Sequence, residues 1–160
     1  MNENSILSSE VLDELNGRYL LFYIGDRLFG VSLALVLEII QIQHVSYLPG
    51  MPAYIKGIVN LRGKVVPVID TRLKFGMEER PYDDKTCIVV LDIHDMHIGL
   101  IVDSVSEVLT VENSQLSAPP TINSMHSVEY LSSVTETDGK VVLNIDFDKF
   151  FQEDLDLGRI

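Results

Sequence analysis

An internal repeat is the feature that most constrains what this chain can fold into. At an offset of 69 residues, five residues of the first half recur in the second half: Ile24, Asp26, Gly30, Val36 and Glu38 match Ile93, Asp95, Gly99, Val105 and Glu107. At an offset of 76, a second block matches. It pairs Tyr54 with Tyr130, residues 63–66 with 139–142, residues 69–70 with 145–146, and Phe75 with Phe151. The difference in offset falls in the loop around residues 114–127, where an insertion costs little. Because each unit is too small to bury a core alone, the repeat predicts two similar subdomains packed on each other.

Short runs of β-branched and aromatic residues indicate that both units are built from strands. The runs lie at residues 19–24, 64–69, 86–93, 97–102 and 140–145. Turn residues fall beside these runs, and they predict hairpin turns at Gly25-Asp26, Arg62-Gly63 and Asp138-Gly139. The sequence therefore predicts an all-β fold of two pseudo-symmetric barrels of antiparallel strands.

The repeat also predicts where the chain divides. Residues 1–17 form an N-terminal arm in which apolar residues at helical spacing predict a short helix. The main domain is predicted at residues 18–152, with one subdomain at about 19–76 and the other at about 86–151. The terminal segments are expected to cross between the subdomains, and residues 153–160 form a tail.

Charge and hydropathy exclude several classes of function. The chain has 24 acidic and 12 basic residues, giving a net charge of −12, so nucleic acid and anionic lipid surfaces are not expected partners. Its apolar runs end after a few residues, far short of the roughly 20 that cross a bilayer, so no membrane insertion is expected. The first residues lack the basic region and apolar core of a signal peptide. These features predict a cytoplasmic protein.

Residues suited to catalysis or metal binding are few. Cys87 is the single cysteine and is expected to be a buried, apolar-like side chain. His94 and His97 bracket a predicted turn and have no third ligand nearby in sequence. Phosphate-binding, nucleophile-elbow and zinc-protease motifs are absent from the sequence. We therefore expect no enzyme activity, no catalytic residues, no metal site and no cofactor.

The segment from Tyr47 to Asp70 carries the most specific motif. A proline-flanked loop leads to an Asn-Leu-Arg-Gly turn at residues 60–63 and then to an apolar strand that ends at Asp70. This order resembles the hallmark of the CheW family. Residues 29–39, 99–109 and 139–151 are similar to the family as well. The resemblance therefore covers nearly the whole chain after residue 17.

The resemblance implies a fold and a role. The fold would be two five-stranded barrels similar to SH3 barrels, packed together and accompanied by short helical segments. The role would be that of a chemotaxis adaptor that couples chemoreceptors, the methyl-accepting chemotaxis proteins, to the histidine kinase CheA. Such an adaptor binds the regulatory domain of the kinase and the cytoplasmic tip of the receptors, and it is recruited to membrane-anchored receptor arrays. One departure is Ser133, where Gly57 is the repeat partner and the family carries glycine, so a positive φ there would be strained.

The residues predicted to bind the receptor or the kinase are Val36, Glu38, Ile39, Gly57, Arg62, Val105 and Val108. Arg62 matches the signature arginine of the family, and its planar fork on a turn suits a protein partner. Glu38 is predicted to orient Arg62 through a charge-assisted bond.

The apolar members of this set have two possible roles. A core position is the default for such residues. The resemblance instead favours an exposed groove between the barrels for Val36 and Val105, where the helical hairpin of a receptor tip would lie. Gly57 is either a plain loop glycine or a position where a partner backbone approaches closely.

Two alternatives to a stand-alone adaptor remain open from sequence. The first is a small-molecule-binding or catalytic β-barrel that uses a cleft between the subdomains. The second is a fragment of a larger signalling chain, because kinase regulatory domains resemble this pair of barrels. Since receiver and kinase segments are absent and the sequence begins and ends near the predicted barrels, a stand-alone adaptor is the expectation.

Overall fold

The computed structural model describes residues 17–119, 130–152 and 154. The described part contains eleven strands: β1 (Arg18–Ile24), β2 (Arg27–Ser32), β3 (Val36–Gln41), β4 (Ile55–Leu61), β5 (Lys64–Asp70), β6 (Cys87–Ile93), β7 (Met96–Val102), β8 (Ser104–Thr110), β9 (Leu116–Ser117), β10 (Leu131–Thr137) and β11 (Lys140–Ile145). Two short helices, α1 (Thr71–Lys74) and α2 (Phe147–Phe150), follow β5 and β11, and 3-10 turns lie at Leu33–Leu35 and Asn113–Gln115. The helix predicted in the N-terminal arm falls outside the described residues.

The strands form two sheets of the same design. Sheet A has the order β8-β1-β2-β11-β10-β9, and sheet B has the order β3-β6-β7-β5-β4. Strands that correspond in the repeat, such as β1 and β6 or β5 and β11, occupy the same place in the two sheets. The predicted fold class, two pseudo-symmetric all-β subdomains with short helical segments, is therefore confirmed.

Each sheet takes strands from both repeats. Sheet A joins β1 and β2 to strands of the second repeat, whereas sheet B joins β3, β4 and β5 to β6 and β7. Residues 19–76 and 86–151 are thus the two repeats, but neither repeat forms a sheet by itself. The repeats exchange whole strands between the sheets, and not only their terminal segments. Asp154 is buried as well, so this residue packs with the domain rather than in a separate tail.

The exchange of strands also changes the expected pairing. Among the described strands, β2 pairs with β11 and β5 pairs with β7 in parallel, and the other pairings are antiparallel. Both members of each parallel pair begin at a hairpin turn, and these turns lie at the same end of the sheet. The expectation of purely antiparallel barrels is therefore wrong at these two pairs.

A short pairing closes each sheet into a barrel. After β3, the chain returns to β4 at the far edge of sheet B, where Ser46 and Ile58 exchange backbone hydrogen bonds of 2.8 and 2.9 Å. In sheet A the chain after β8 forms β9, which pairs with β10 at the equivalent place. Closure removes the unpaired edges that an open sheet presents.

Among the described residues, three apolar clusters hold the fold together. The largest contains residues of both sheets, including the fully buried Phe22, Phe29, Phe150 and Phe151, and fills the space between them. Two smaller clusters each lie within one sheet. The cluster of sheet A is the smaller, because the polar Asn144 stands where sheet B has the apolar Val68. The Nδ2 atom of Asn144 donates to Thr135 at 2.8 Å.

The predicted hairpin turns are present and have the expected backbone. Arg62 and Gly63 have φ values of 54° and 83°, and Asp138 and Gly139 have values of 48° and 75°. Two consecutive positive φ angles are typical of the type I′ turn that matches the twist of paired strands. Ser133 is not among the residues with positive φ, and its Oγ accepts a hydrogen bond from Asn144 Nδ2 at 3.0 Å. The strain considered for Ser133 therefore does not arise.

Candidate protein-interaction site

An ion pair links the tip of the β4–β5 hairpin to β3. The guanidinium Nη1 of Arg62 lies 3.1 Å from Oε2 of Glu38, and the two side chains are 86% and 26% exposed. The association predicted between these residues is therefore present. Arg62 is also one of the few non-glycine residues with positive φ in the described chain, a conformation that costs on the order of 1 kcal/mol. The turn thus holds an arginine where a glycine or asparagine would be less strained.

A bulge in β3 sets the direction of the neighbouring side chains. Val36 pairs with Leu91 and Glu38 pairs with Val90, so the register skips Leu37. Leu37 is exposed, whereas Val36 packs against the large cluster between the sheets. Bulges re-aim side chains in this way, and this one brings an apolar residue and an acid to the surface beside Arg62.

A groove of about 350 Å³ opens between these elements. Its lining, here called the Arg62 groove, consists of Leu37, Glu38, Leu61, Arg62, Lys64, Val66, Val90 and His97. The Nζ atom of Lys64 lies 3.4 Å from Nε2 of His97 at one side of the groove. Buried valines at the base and charged side chains at the margin give the composition of a surface that binds a protein segment.

The sequence-based prediction missed Leu37, Lys64 and His97. Alternation along β5 was the available signal for Lys64, because side chains two residues apart lie on the same face and Val66 is buried. His97 was predicted to begin a strand next to a solvated turn, and it does lie in β7, but the sequence assigned it no binding role. Its place in the groove follows from the pairing of β7 with β5, which the local pattern does not reveal.

The other apolar residues of the predicted site lie outside the Arg62 groove. Val36 and Ile39 belong to β3 in sheet B, and Val105 and Val108 belong to β8 in sheet A. Val36 and Val105 are half-buried and pack against the large cluster, so the default core role describes them in part. Ile39 and Val108 are exposed.

Gly57 is a glycine for an internal reason. It is buried and has a φ of 144°, and a Cβ at this position would overlap the carbonyl oxygen of Ser46. Ser46 makes the pairing that closes sheet B, so the close approach that Gly57 permits is made by the chain itself. Gly57 therefore lies in a strand rather than in a loop, and its place in the predicted binding site stays a prediction.

A second ionic cluster lies at the junction of the two repeats. Arg72 binds both carboxylate oxygens of Asp103, at 2.9 Å from Nε and 2.6 Å from Nη2, and the amide of Gly25 donates to Asp103 at 2.7 Å. Burial by itself raises the pKa of Asp103, but the hydrogen bonds from Arg72 and Gly25 and the charges of Arg72 and Arg80 outweigh it. The pKa of Asp103 is therefore below its usual range.

A tyrosine and the cysteine also have perturbed acidity. Burial, followed by a 2.7 Å hydrogen bond to Asp70, raises the pKa of the Tyr82 phenol. Partial burial raises the pKa of the Cys87 thiol. Cys87 is half-buried rather than fully buried as expected, and its Sγ lies 3.3 Å from the carbonyl oxygen of Lys85.

His94 and His97 do not converge in the structure. His94 lies on the β6–β7 turn and contacts Asp148 at 2.7 Å, whereas His97 lies in the Arg62 groove. Within residues 17–119, 130–152 and 154, no group of three or more His, Cys, Asp or Glu residues is placed to hold a metal ion. Likewise, none of the helices in the described ranges has the length and apolar character needed to cross a membrane.

Two closed barrels that share a core and carry an exposed ion pair over an apolar groove define an all-β interaction domain. Comparison with known families is consistent with that class. The model of the CheW-like domain family matches residues 18–155, and the chain belongs to this family.

Individual relatives agree with the assignment over most of the chain. A chemotaxis protein CheW of Klebsiella aerogenes is 31% identical over 136 residues, which cover 85% of this chain and 82% of that protein. A chemotaxis protein CheW of Rhizobium meliloti is 32% identical, with 84% and 88% covered. The crystal structure of the scaffolding protein TtCheW from Thermoanaerobacter tengcongensis matches with a TM-score of 0.76 at 29% identity, covering 81% of this chain and 88% of that one.

Proposed function

We propose that this protein is a chemotaxis adaptor that couples chemoreceptors to the histidine kinase CheA. Membership of the CheW-like family and relatives that are themselves chemotaxis and scaffolding proteins support this role. The observation that carries the proposal is the exposed Arg62, which Glu38 holds over an apolar groove on sheet B.

The Arg62 groove has the properties of a binding hot spot. Arginine is enriched among the residues whose loss most weakens protein interfaces, especially beside apolar pockets. Its pairing with Glu38 limits the conformational freedom that would otherwise be lost on binding. Because the guanidinium is 86% exposed, donors remain free to reach a partner. We assign the regulatory domain of the kinase to this groove.

The strands β3 and β8 offer a separate apolar surface for the receptor. Ile39 on β3 and Val108 on β8 are exposed, and the half-buried Val36 and Val105 lie on the same two strands. A helical hairpin from a receptor tip, with apolar residues repeating along one face, would fit these strands in a helix-in-groove manner. Gly57 supports the site indirectly, by allowing sheet B to close.

The remaining parts of the proposal follow from this role. The protein would act without catalytic residues or a cofactor, and it would work in the cytoplasm at receptor arrays. Recruitment would depend on the receptor tip rather than on lipid or nucleic acid, because a net charge of −12 opposes binding to polyanionic surfaces.

A small-molecule site in a cleft between the subdomains is not favoured. The large cluster fills the space between the sheets with aromatic side chains. A groove of about 470 Å³ does exist, but Tyr23, Arg27, Leu28 and Lys140 in its lining place it on sheet A alone.

The experiment that tests the proposal is a calorimetric titration of the protein with the isolated regulatory domain of CheA and, separately, with a receptor-tip fragment. Saturable binding to both, and a ternary complex when all three are mixed, is expected. Binding to neither partner would contradict the proposed function.

A further inference from the structure

A buried ion pair joins Asp154 to the first repeat. The Nζ atom of Lys74 lies 2.9 Å from Oδ2 of Asp154, and the two side chains are only 4% and 3% exposed. The other carboxylate oxygen, Oδ1, accepts a hydrogen bond from the hydroxyl of Tyr54 at 2.6 Å. Each oxygen of this carboxylate therefore has its own donor.

Aromatic rings form the walls around the cation. The Nζ atom of Lys74 lies 4.3 Å from the centre of the Tyr54 ring and 5.6 Å from the centres of the Tyr130 and Phe150 rings. Cation–π contacts of this kind are strongest when water is excluded. The ammonium is thus fixed in place by three rings and has one carboxylate partner within the described residues.

The repeat shows that packing does not require this ion pair. Tyr54 and Tyr130 are equivalent, and their carbonyl oxygens accept from the amides of Asp70 and Asp146 at 2.8 and 2.6 Å. The residue equivalent to Lys74 is Phe150, which fills its place without any charge. Replacing a buried pair by apolar residues is often neutral or stabilising, so stability alone does not explain a lysine here. What the lysine adds is a requirement for a carboxylate.

We propose that Lys74 and Tyr54, enclosed by Tyr130 and Phe150, form a carboxylate-binding site that the chain fills with its own Asp154. In the intact protein the bound Asp154 holds the end of the domain against the β4–β5 hairpin and helix α1 of the first repeat. A carboxylate small enough to enter takes the place of Asp154 once that side chain is withdrawn.

Chemical rescue of Asp154→Ala tests the proposal. The substitution removes one carboxylate and leaves a space the size of formate. The Tm of the variant is expected to fall by on the order of 10 °C, because a buried cation loses its partner. Sodium formate should restore part of that loss, whereas sodium chloride at the same ionic strength should not. The Tm of the unmodified protein should respond equally to the two salts.

Two controls separate the site from general salt effects. Asp148→Ala removes a carboxylate that is 74% exposed, so it should show neither the Tm loss nor a specific response to formate. Lys74→Met combined with Asp154→Ala removes both charges, and this variant should melt above Asp154→Ala and ignore formate.

The proposal is overturned if Asp154→Ala has the same Tm as the unmodified protein, or if formate and chloride change the Tm of Asp154→Ala equally. In the second case Lys74 and Asp154 form an ion pair without a binding site. Should Asp154→Ala fail to fold in chloride, recovery of its near-ultraviolet circular dichroism in formate is expected, and no recovery would equally refute the site.

Discussion

Arg62 and Asp138 occupy the same turn position in the two repeats, with φ values of 54° and 48°, but they carry opposite charges. Their surroundings differ accordingly. Glu38 pairs with Arg62, whereas its counterpart Glu107 pairs with Lys140 at 3.4 Å. A partner that requires a cation at the turn can therefore distinguish the two barrels despite their common backbone.

Removal of the Arg62 side chain should weaken binding without unfolding the protein. Arg62→Ala is expected to change the free energy of unfolding by no more than about 0.5 kcal/mol, because exposed ion pairs contribute little. Loss of an arginine hot spot costs about 2 kcal/mol of binding, which corresponds to roughly thirtyfold weaker association. Thermal melts and titrations with the kinase regulatory domain and a receptor-tip fragment measure both quantities.

Asp138→Ala is the matched control for Arg62→Ala, because it shortens a side chain on the same type of turn in the other barrel. Its affinity for the kinase domain should match that of the unmodified protein. If Arg62→Ala and the unmodified protein bind the kinase domain with equal affinity, the proposed site is contradicted. A large loss of Tm in Arg62→Ala would instead show that Arg62 is structural.

Glu38 should act through Arg62. Glu38→Ala is expected to weaken kinase binding less than Arg62→Ala does. The guanidinium of Arg62 is still present in this variant, but the ion pair that orients it is lost. The double variant should then lose less binding free energy than the sum of the two single variants. A double-mutant cycle by calorimetry measures the difference, and strictly additive losses would show that the two side chains act independently.

Gly57 is expected to be indispensable for the closure of sheet B. Gly57→Ala places a Cβ against the carbonyl oxygen of Ser46 at a φ of 144°, so the free energy of unfolding should fall by about 3 kcal/mol or more. Urea denaturation measures the loss. Gly139→Ala is the matched control, since it also has positive φ but no atom within 4 Å of the added Cβ, and about 1 kcal/mol is expected.

The repeat, together with the β-branched runs and the turn residues, predicted an all-β fold of two similar units. The pairing of Glu38 with Arg62 was expected only once the family resemblance had singled out Arg62. Features that depend on strand exchange were not predictable, because periodicity reports which face a residue occupies and not which strand lies beside it. His97 enters the groove only because β7 pairs with β5. The bulge at Leu37 depends on the pairing of β3 with β6, and the contact of Ser46 with Gly57 depends on closure of the sheet.

The ion pair of Asp103 should make stability depend on pH in the acid range. Because the pKa of Asp103 is lower in the folded state than the value of about 3.9 in an unfolded chain, its contribution is fully present above about pH 5. Protonation weakens the bonds from Arg72 and Gly25, so the contribution is lost as the pH falls through the folded pKa. Asp103→Asn lacks this contribution at every pH.

The measurement is urea denaturation of the unmodified protein and of Asp103→Asn between about pH 7 and pH 3. Comparison with the variant is essential, since every other ionisable group is common to the two proteins and its effect cancels in the difference. The difference in free energy of unfolding should stay constant down to about pH 5 and shrink below about pH 4. A difference that is independent of pH, or a variant as stable as the unmodified protein at neutral pH, would show that Arg72 does not hold Asp103 in its charged form.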